Sequence, residues 1–209
     1  MRFSAFPCFL ATLLVVILTQ AAFAQSPTIV RVEEDWELTV ETPDPATDAP
    51  QIACVISPWS HVYCLYAVFE LNHQSLPDYQ AGGLQLQLWY GEHPLGSCNY
   101  PNEGLLSQPG ETIRWTQSMR LEDGKLWFEV INGTSTTWGN FGGQGYLKTS
   151  LLTAMTDLNG YDPAVSAENS GVSYADNRVP LLVLKKVRVY TSTGEEIVDE
   201  TVRVVHSQD

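Results

Sequence analysis

The chain has 209 residues, with 24 acidic and 11 basic side chains and a formal net charge of −13 at pH 7. A surface this acidic repels nucleic-acid phosphates and anionic lipid headgroups, so the charge argues against both as ligands. Neutral ligands, cationic partners and divalent cations remain compatible with it.

The first residues have the pattern of a secretory signal. Arg2 supplies a basic start, residues 9–18 are apolar, and Ala22-Phe23-Ala24 is a small-residue cleavage site. We therefore expect residues 1–24 to be removed on export, near Ala24, and residues 25–209 to form one extracellular or periplasmic domain. The apolar run is too short for a stable membrane anchor, and no transmembrane segment is expected in the mature chain.

After this leader, strand-like runs alternate with Gly, Pro, Asn and Asp, and no stretch keeps a helical period. The first run, residues 28–41, places Trp36 and Leu38 on one side and acidic side chains on the other. Glu34 is the exception on the apolar side. The succession of strands predicts an all-β fold, an antiparallel β-sandwich.

Three cysteines follow the leader. Residues 51–57 and 61–72 are predicted to form a hairpin that turns at Pro58-Trp59-Ser60. Cys54 and Cys64 lie symmetrically about this turn, and export permits disulfides, so we expect them to form one. Cys98 is then left over, either as a free thiol or as a partner in an intermolecular bond.

Residues 84–90 alternate with little interruption, with leucines on one side and Gln85, Gln87 and Trp89 on the other. A strand with one buried and one wet face is predicted, followed by a loop over residues 91–110.

Next comes a hairpin whose register can be predicted. Residues 111–121 and 125–132 flank Asp123-Gly124, a two-residue turn in which both positions can take positive φ. The register places Arg120 opposite Trp127, and a slip by one residue would mix the apolar and polar faces.

The rest of the chain contains a predicted strand at 146–153, a polar loop at 157–176 and a closing hairpin formed by residues 179–191 and 196–206. In the polar loop, oxygen ligands from Asp157, Asn159 and Asp162 predict a structural Ca²⁺ site. The alternative is turn chemistry, which also favours these residue types.

The strand at 84–90 and the Asp123-Gly124 hairpin would share one wet face if they lie in the same sheet. The predicted ligand-binding residues on that face are Gln85, Gln87, Trp89, Arg120, Trp127 and Glu129. Indole rings stack on sugars and the polar groups bind hydroxyls, so this face predicts a neutral glycan or polysaccharide as ligand. The alternative is that Trp127 only covers Arg120 as a cation–π pair and that Trp89 packs under a loop.

The acidic side of the first strand carries Glu33, Asp35 and Glu37, and retaining glycosidases need two neighbouring carboxylates. The run resembles the Glu-x-Asp-x-Glu strand of concanavalin A-like β-glucanases. That resemblance implies nucleophile and acid/base roles for Glu33 and Glu37, with Asp35 tuning them. An acidic solvent-facing strand is the alternative.

In size, export and strand density the chain also resembles the concanavalin A-like lectins and glucanases. The resemblance implies a jelly-roll sandwich with a concave glycan-binding sheet, often beside a structural Ca²⁺ ion. The favoured interpretation is a secreted, non-catalytic carbohydrate-binding module. The alternatives are a glycoside hydrolase that uses the acidic strand, and a cell-surface structural or interaction domain linked through Cys98.

Overall fold

In the computed structural model, the described residues are 26–41, 50–73, 82–100, 106 and 110–208. The expected leader, residues 1–24, lies outside them. The described part of the chain forms thirteen strands and one α-helix. These are β1 (Ile29–Val40), β2 (Gln51–Ile56), β3 (Leu65–His73), β4 (Gly82–Tyr90), β5 (His93–Tyr100), β6 (Glu111–Glu122), β7 (Lys125–Ser135), β8 (Gly139–Phe141), β9 (Lys148–Leu152), α1 (Pro163–Asn169), β10 (Gly171–Tyr174), β11 (Leu181–Thr191), β12 (Glu196–Asp199) and β13 (Arg203–Ser207).

The strands form two antiparallel sheets. The large sheet has the order β12-β11-β1-β6-β7-β8, with β13 also paired to β11 and β9 also paired to β7, and the small sheet has the order β10-β2-β3-β4-β5. Inward side chains of both sheets join in one hydrophobic core, the arrangement of a β-sandwich. The predicted all-β, antiparallel character is confirmed. No helix in the described ranges has the length and apolar character needed to cross a membrane.

Strand β1 lies in the middle of the large sheet, between β6 and β11. Its predicted alternation is confirmed, because Trp36 and Leu38 are buried in the core. The Trp36 ring stacks on that of Trp115, the neighbouring residue on β6, with 6.2 Å between ring centroids.

The predicted register of the β6–β7 hairpin is also confirmed. Asp123 and Gly124 have φ angles of 52° and 69°, as a two-residue turn requires. Arg120 lies opposite Trp127, and Met119 lies opposite Phe128 with both side chains in the core.

Two segments predicted as loops contain regular structure. Strand β5 lies within residues 91–110, because Gly91, at a φ of 55°, lets the chain reverse directly after β4. Helix α1 lies within residues 157–176. The Asp162 side chain caps it by accepting a hydrogen bond from the Ala164 N–H at 2.9 Å, and Pro163 occupies the first turn.

The predicted Cys54–Cys64 disulfide is wrong. Strand pairing places Phe69, rather than Cys64, opposite Cys54. The turn between β2 and β3 spans residues 57–64, so Cys64 lies in the turn and not on a strand. Cys54, Cys64 and Cys98 all have free thiols, and Cys54 is buried in the core.

Gly133 on β7 provides a test of the packing. A Cβ at this position would overlap the Phe141 ring, which is held in the core between Phe69 and Trp138. We expect Gly133→Ala to lower the free energy of unfolding by on the order of 1–3 kcal/mol, measured by urea denaturation. The control is Gly171→Ala, whose Cβ would meet open space and which should change stability by less than about 0.5 kcal/mol. Equal effects of the two substitutions would contradict this packing.

Candidate functional site

The structure divides the predicted glycan-binding residues between the two sheets. Gln85, Gln87 and Trp89 lie on β4 of the small sheet, whereas Trp127 and its neighbours lie on the β6–β7 hairpin of the large sheet. The leucines that alternate with the β4 residues and the Phe128 next to Trp127 face the same core. The two tryptophans therefore point away from each other, and the prediction of one shared face was wrong. Alternation predicts which side chains face solvent but not which sheet a strand joins.

On the small sheet, the side chains of β4 form a row of hydrogen bonds. The Trp89 indole N–H donates to the Gln87 amide oxygen at 2.6 Å, and the Gln87 amide nitrogen donates to the Gln85 oxygen and, at 3.1 Å, to Glu70. The Gln85 amide nitrogen then donates to Asn99 Oδ1 on β5 at 2.5 Å. Because each amide is held by its neighbours, the row is fixed before any ligand arrives.

A groove of about 360 Å³ lies over this row. Gln85, Gln87 and Trp89 line one side, and residues 94–97 of β5 line the other. Gln85 is only 5% exposed, whereas the side chains of Gln87 and Trp89 are half-buried and available to a ligand. The volume lies within the range of small-molecule sites.

On the large sheet, Trp127 has a different environment. The charged groups of Arg120, Lys125 and Lys148 lie 5.6, 5.3 and 4.6 Å from its ring centroid. Arg120 also donates to Glu129 at 2.8 Å. The predicted alternative, a Trp127 ring that serves as a cation–π partner of Arg120, describes this arrangement.

The acidic residues of β1 face outward, as predicted, and each is paired with basic side chains. Arg188 on β11 donates to Glu33 at 3.0 Å and to both oxygens of Asp35 at 2.6 and 2.8 Å. Glu37 accepts a hydrogen bond from Arg114 at 2.7 Å and pairs with Lys185 at 3.4 Å. The three carboxylates thus form an ion-pair network across three strands.

Asp35 is held in its ionised form by this network. Partial burial alone would raise its pKa, but hydrogen bonds from Arg188 and Thr116 outweigh that effect and lower the pKa below its usual value. An acid catalyst needs the opposite shift, since it must hold a proton at the working pH.

Glu34 was treated as an exception in the sequence, and the structure places it fully inside the core. Its carboxylate accepts hydrogen bonds from four side chains. These are Trp36 at 3.1 Å, Gln117 at 2.6 Å, Tyr161 at 2.8 Å and Ser166 at 2.5 Å. Burial raises the pKa of Glu34, although the hydrogen bonds oppose the shift. The alternation that buries Val32 and Trp36 already indicated an inward Glu34.

The residues predicted to bind Ca²⁺ use their oxygens in hydrogen bonds within the protein. Asp157 accepts from the Asn159 N–H at 3.2 Å and Asp162 caps α1, which is the turn and capping chemistry considered as the alternative. Asn159 Oδ1 accepts from the Ile29 N–H at 2.8 Å and so ties this segment to the start of β1. The described ranges contain no group of three or more His, Cys, Asp or Glu residues placed to hold a metal ion.

Cys98 on β5 is half-buried, and its thiol donates to the Leu86 carbonyl oxygen at 3.6 Å. Burial raises its pKa, with hydrogen bonds opposing the shift. The thiolate is the form that forms disulfides, so this environment slows intermolecular pairing through Cys98.

Comparison with known proteins does not assign the chain to a family. No protein-family model matches it, and no curated protein is significantly similar in sequence. The chemistry of the site must therefore be argued from its own geometry.

The buried Glu34 carboxyl predicts a pH dependence of stability. With its pKa raised above 4.5 in the folded state, the folded chain binds more protons than the unfolded chain between pH 4.5 and that raised value. The contribution of Glu34 to the free energy of unfolding should therefore fall as pH rises through this window. Asp35 and Asp199 have lowered pKa values, so their contributions are lost as pH falls below 3.8, in a separate window.

We expect Glu34→Gln to remove this decline, as measured by urea denaturation from pH 4.5 to 8. The amide keeps the bonds from Trp36 and Gln117, while the hydroxyls of Tyr161 and Ser166 can turn to accept from it. Glu33→Gln, on the outer face of the same strand, is the matched control and should retain the decline. The assignment fails if the pH profile of Glu34→Gln is parallel to that of the wild type.

Proposed function

We propose that this chain is an exported, non-catalytic carbohydrate-binding module that holds a neutral glycan in the groove of the small sheet. Export rests on the leader pattern of residues 1–24. The sandwich is proposed to be of the jelly-roll type found in concanavalin A-like lectins, which is consistent with two antiparallel sheets around one core.

The observation that carries the proposal is the row Trp89–Gln87–Gln85–Asn99 beside a groove of about 360 Å³. A sugar presents C–H groups on its ring faces and hydroxyls at its edges. An indole ring suits the faces, and the Gln87 amide oxygen, which has a second lone pair, can accept from a hydroxyl. Because the amides already hold one another, binding costs little side-chain entropy.

A neutral ligand fits the groove better than a charged one. Its lining residues are Gln85, Gln87, Trp89, Pro94, Leu95, Gly96 and Ser97, none of which carries a charge. Glu70, on the neighbouring strand β3, accepts from the Gln87 amide nitrogen, which orients the Gln87 oxygen toward the indole N–H.

Contacts on the other sheet favour this proposal over a glycoside hydrolase. Such an enzyme would need one carboxyl of Glu33, Asp35 and Glu37 to deliver a proton, but Asp35 has a lowered pKa and the other two are bound to Arg or Lys. A covalently paired surface domain is less favoured because the Cys98 thiol is half-buried and donates to the Leu86 carbonyl oxygen.

The two tryptophans provide matched variants. We expect Trp89→Ala to weaken glycan binding at least tenfold, because it removes the stacking surface and releases Gln87, whereas Trp127→Ala should leave the affinity unchanged. The measurement is a glycan-array screen of the wild type, followed by calorimetric titration of the best ligand with both variants.

Gln87→Leu, which keeps the side-chain size and removes the amide, should weaken binding in the same direction. A wild-type protein that binds no glycan on the array would overturn the proposal. Equal losses in Trp89→Ala and Trp127→Ala would overturn the site.

A further inference from the structure

In the large sheet, the β1–β11 and β6–β7 strand pairs each contain a β-bulge, and the two bulges lie at the same height along the strands. Between β1 and β11 the register shifts at Asp35/Trp36, leaving Lys185 as an extra residue. Between β6 and β7 it shifts at Thr116/Gln117, leaving Ile131 as an extra residue. Since Asp35 lies opposite Thr116 in the β1–β6 pair, the two bulges fall at the same height.

The edge of the sheet is interrupted at the same level. Strand β12 pairs with β11 as far as Val187, and β13 resumes the pairing at Leu184. Residues 200–202 therefore bulge out beside Lys185 and Lys186. Bulges bend a sheet and redirect its side chains, and they occur often next to binding sites.

A groove of about 500 Å³ follows this line of bulges on the outer face of the large sheet. The lining residues are Asp35, Trp36, Glu37, Arg114, Trp115, Thr116, Asn132, Lys185, Lys186, Glu200 and Val202. The groove thus extends from β7 across β6, β1 and β11 to the edge, on the opposite side of the sandwich from the amide row.

At the centre of this groove the basic groups are more exposed than the acidic group they bind, whereas Glu200 at the edge is an exposed acid. The side chain of Arg114 is 61% exposed and that of Lys185 is 47% exposed, whereas that of Glu37 is 14% exposed. Both basic groups contact the same oxygen, Glu37 Oε2. Arg114, Lys185 and Glu37 together carry one net positive charge, although the three basic and three acidic residues of the whole lining balance.

Arg114 has donors left for a ligand. Its Nε is used by Glu37 Oε2 at 2.7 Å, and among the described residues its terminal nitrogens have no recorded partner. A guanidinium can bind a planar or tetrahedral oxyanion with two parallel hydrogen bonds. The Asn132 amide supplies a neutral polar group along the same groove, whereas the Thr116 hydroxyl donates to Asp35.

We propose that this groove is a second binding site, for an acidic saccharide whose carboxylate or sulfate group is bound by Arg114 and Lys185. The oxyanion neutralises the excess positive charge above Glu37, and the sugar ring lies along the bulges toward Asn132 or Val202. Among the acidic residues that line the groove, Glu200 is the one that forms no ion pair with a described residue. Its free negative charge therefore repels an anionic ligand. The site is independent of the glycan groove on the small sheet.

The test is calorimetric titration at low salt, with oligogalacturonate as the carboxylate probe and its neutral methyl ester as the control. Sulfated dextran oligomers and unmodified dextran are the corresponding sulfate pair. We expect at least one anionic probe to bind and its neutral counterpart to bind at least tenfold more weakly, with affinity falling as salt is added. The stronger anionic probe identifies the group recognised.

Three variants locate the site. Arg114→Gln combined with Lys185→Gln should weaken binding of the anionic probe at least tenfold, because charged hydrogen bonds are lost. Glu200→Gln should strengthen it roughly threefold, an outcome that misfolding cannot produce. Lys125→Gln removes a positive charge near Trp127 on the same sheet, outside the groove, and should have no effect.

If neither anionic probe binds the wild type, the inference is overturned, as it is if Lys125→Gln and the double variant have equal effects. Trp89→Ala should leave anionic binding intact. A wild-type protein that binds an anionic probe but no neutral glycan would therefore refute the proposed function and leave this second site standing. A wild-type protein that binds a neutral glycan but neither anionic probe would refute the second site alone.

Discussion

The buried Glu34 carboxyl is the interaction on which the arrangement of this sandwich depends. Placing a carboxyl group in a core without partners would cost several kcal/mol. Here that cost is offset by donors from separate parts of the chain, namely Trp36 on β1, Gln117 on β6, Tyr161 before α1 and Ser166 within it. If any of these segments moves away, the buried carboxyl loses a hydrogen-bond partner.

The same cluster extends to the small sheet. Gln117 also donates to the Val55 carbonyl oxygen on β2 at 3.3 Å, and the Val55 N–H donates to Ser170 Oγ at 2.8 Å. Ser170 in turn donates to the Ser166 carbonyl oxygen at 2.6 Å. Two sheets joined only by apolar contacts could slide over one another, whereas hydrogen bonds of fixed direction set their relative position. The short helix is therefore part of the joint between the sheets.

Much of the fold could be predicted from local pattern. The alternation around Trp36 identified the inward face of β1, and Asp123-Gly124 defined the hairpin register. Sheet membership could not be predicted, because the same alternation would place β4 equally well in either sheet. The shared tryptophan face was wrong for that reason. Helix α1 was missed because seven residues are too few to show a helical period, although Asp162-Pro163 has the pattern of a helix start.

The sequence predicted which side chains of the candidate site face solvent, but it did not predict how they are arranged. Gln85, Gln87 and Trp89 follow from alternation within one strand, and the structure joins them by hydrogen bonds. The groove along the bulges was not predictable, since each bulge depends on how two strands pair and leaves no mark in one strand alone. Lys185 appeared in the sequence as one basic residue in a strand, and only the register shows that it is the inserted one.

The break in the last strand has a consequence for solubility. Strands β12 and β13 lie at the edge of the large sheet, and Val198, Val204 and the intervening Val202 are exposed there. An unbroken edge of that kind can recruit another copy of the chain into a growing fibril. Residues 200–202 divide this edge into pieces of four and five residues, β12 and β13, and Glu200 places a negative charge at the division. The distortion that opens a groove on the face thus also shortens the continuous edge with which a second copy of the chain could pair.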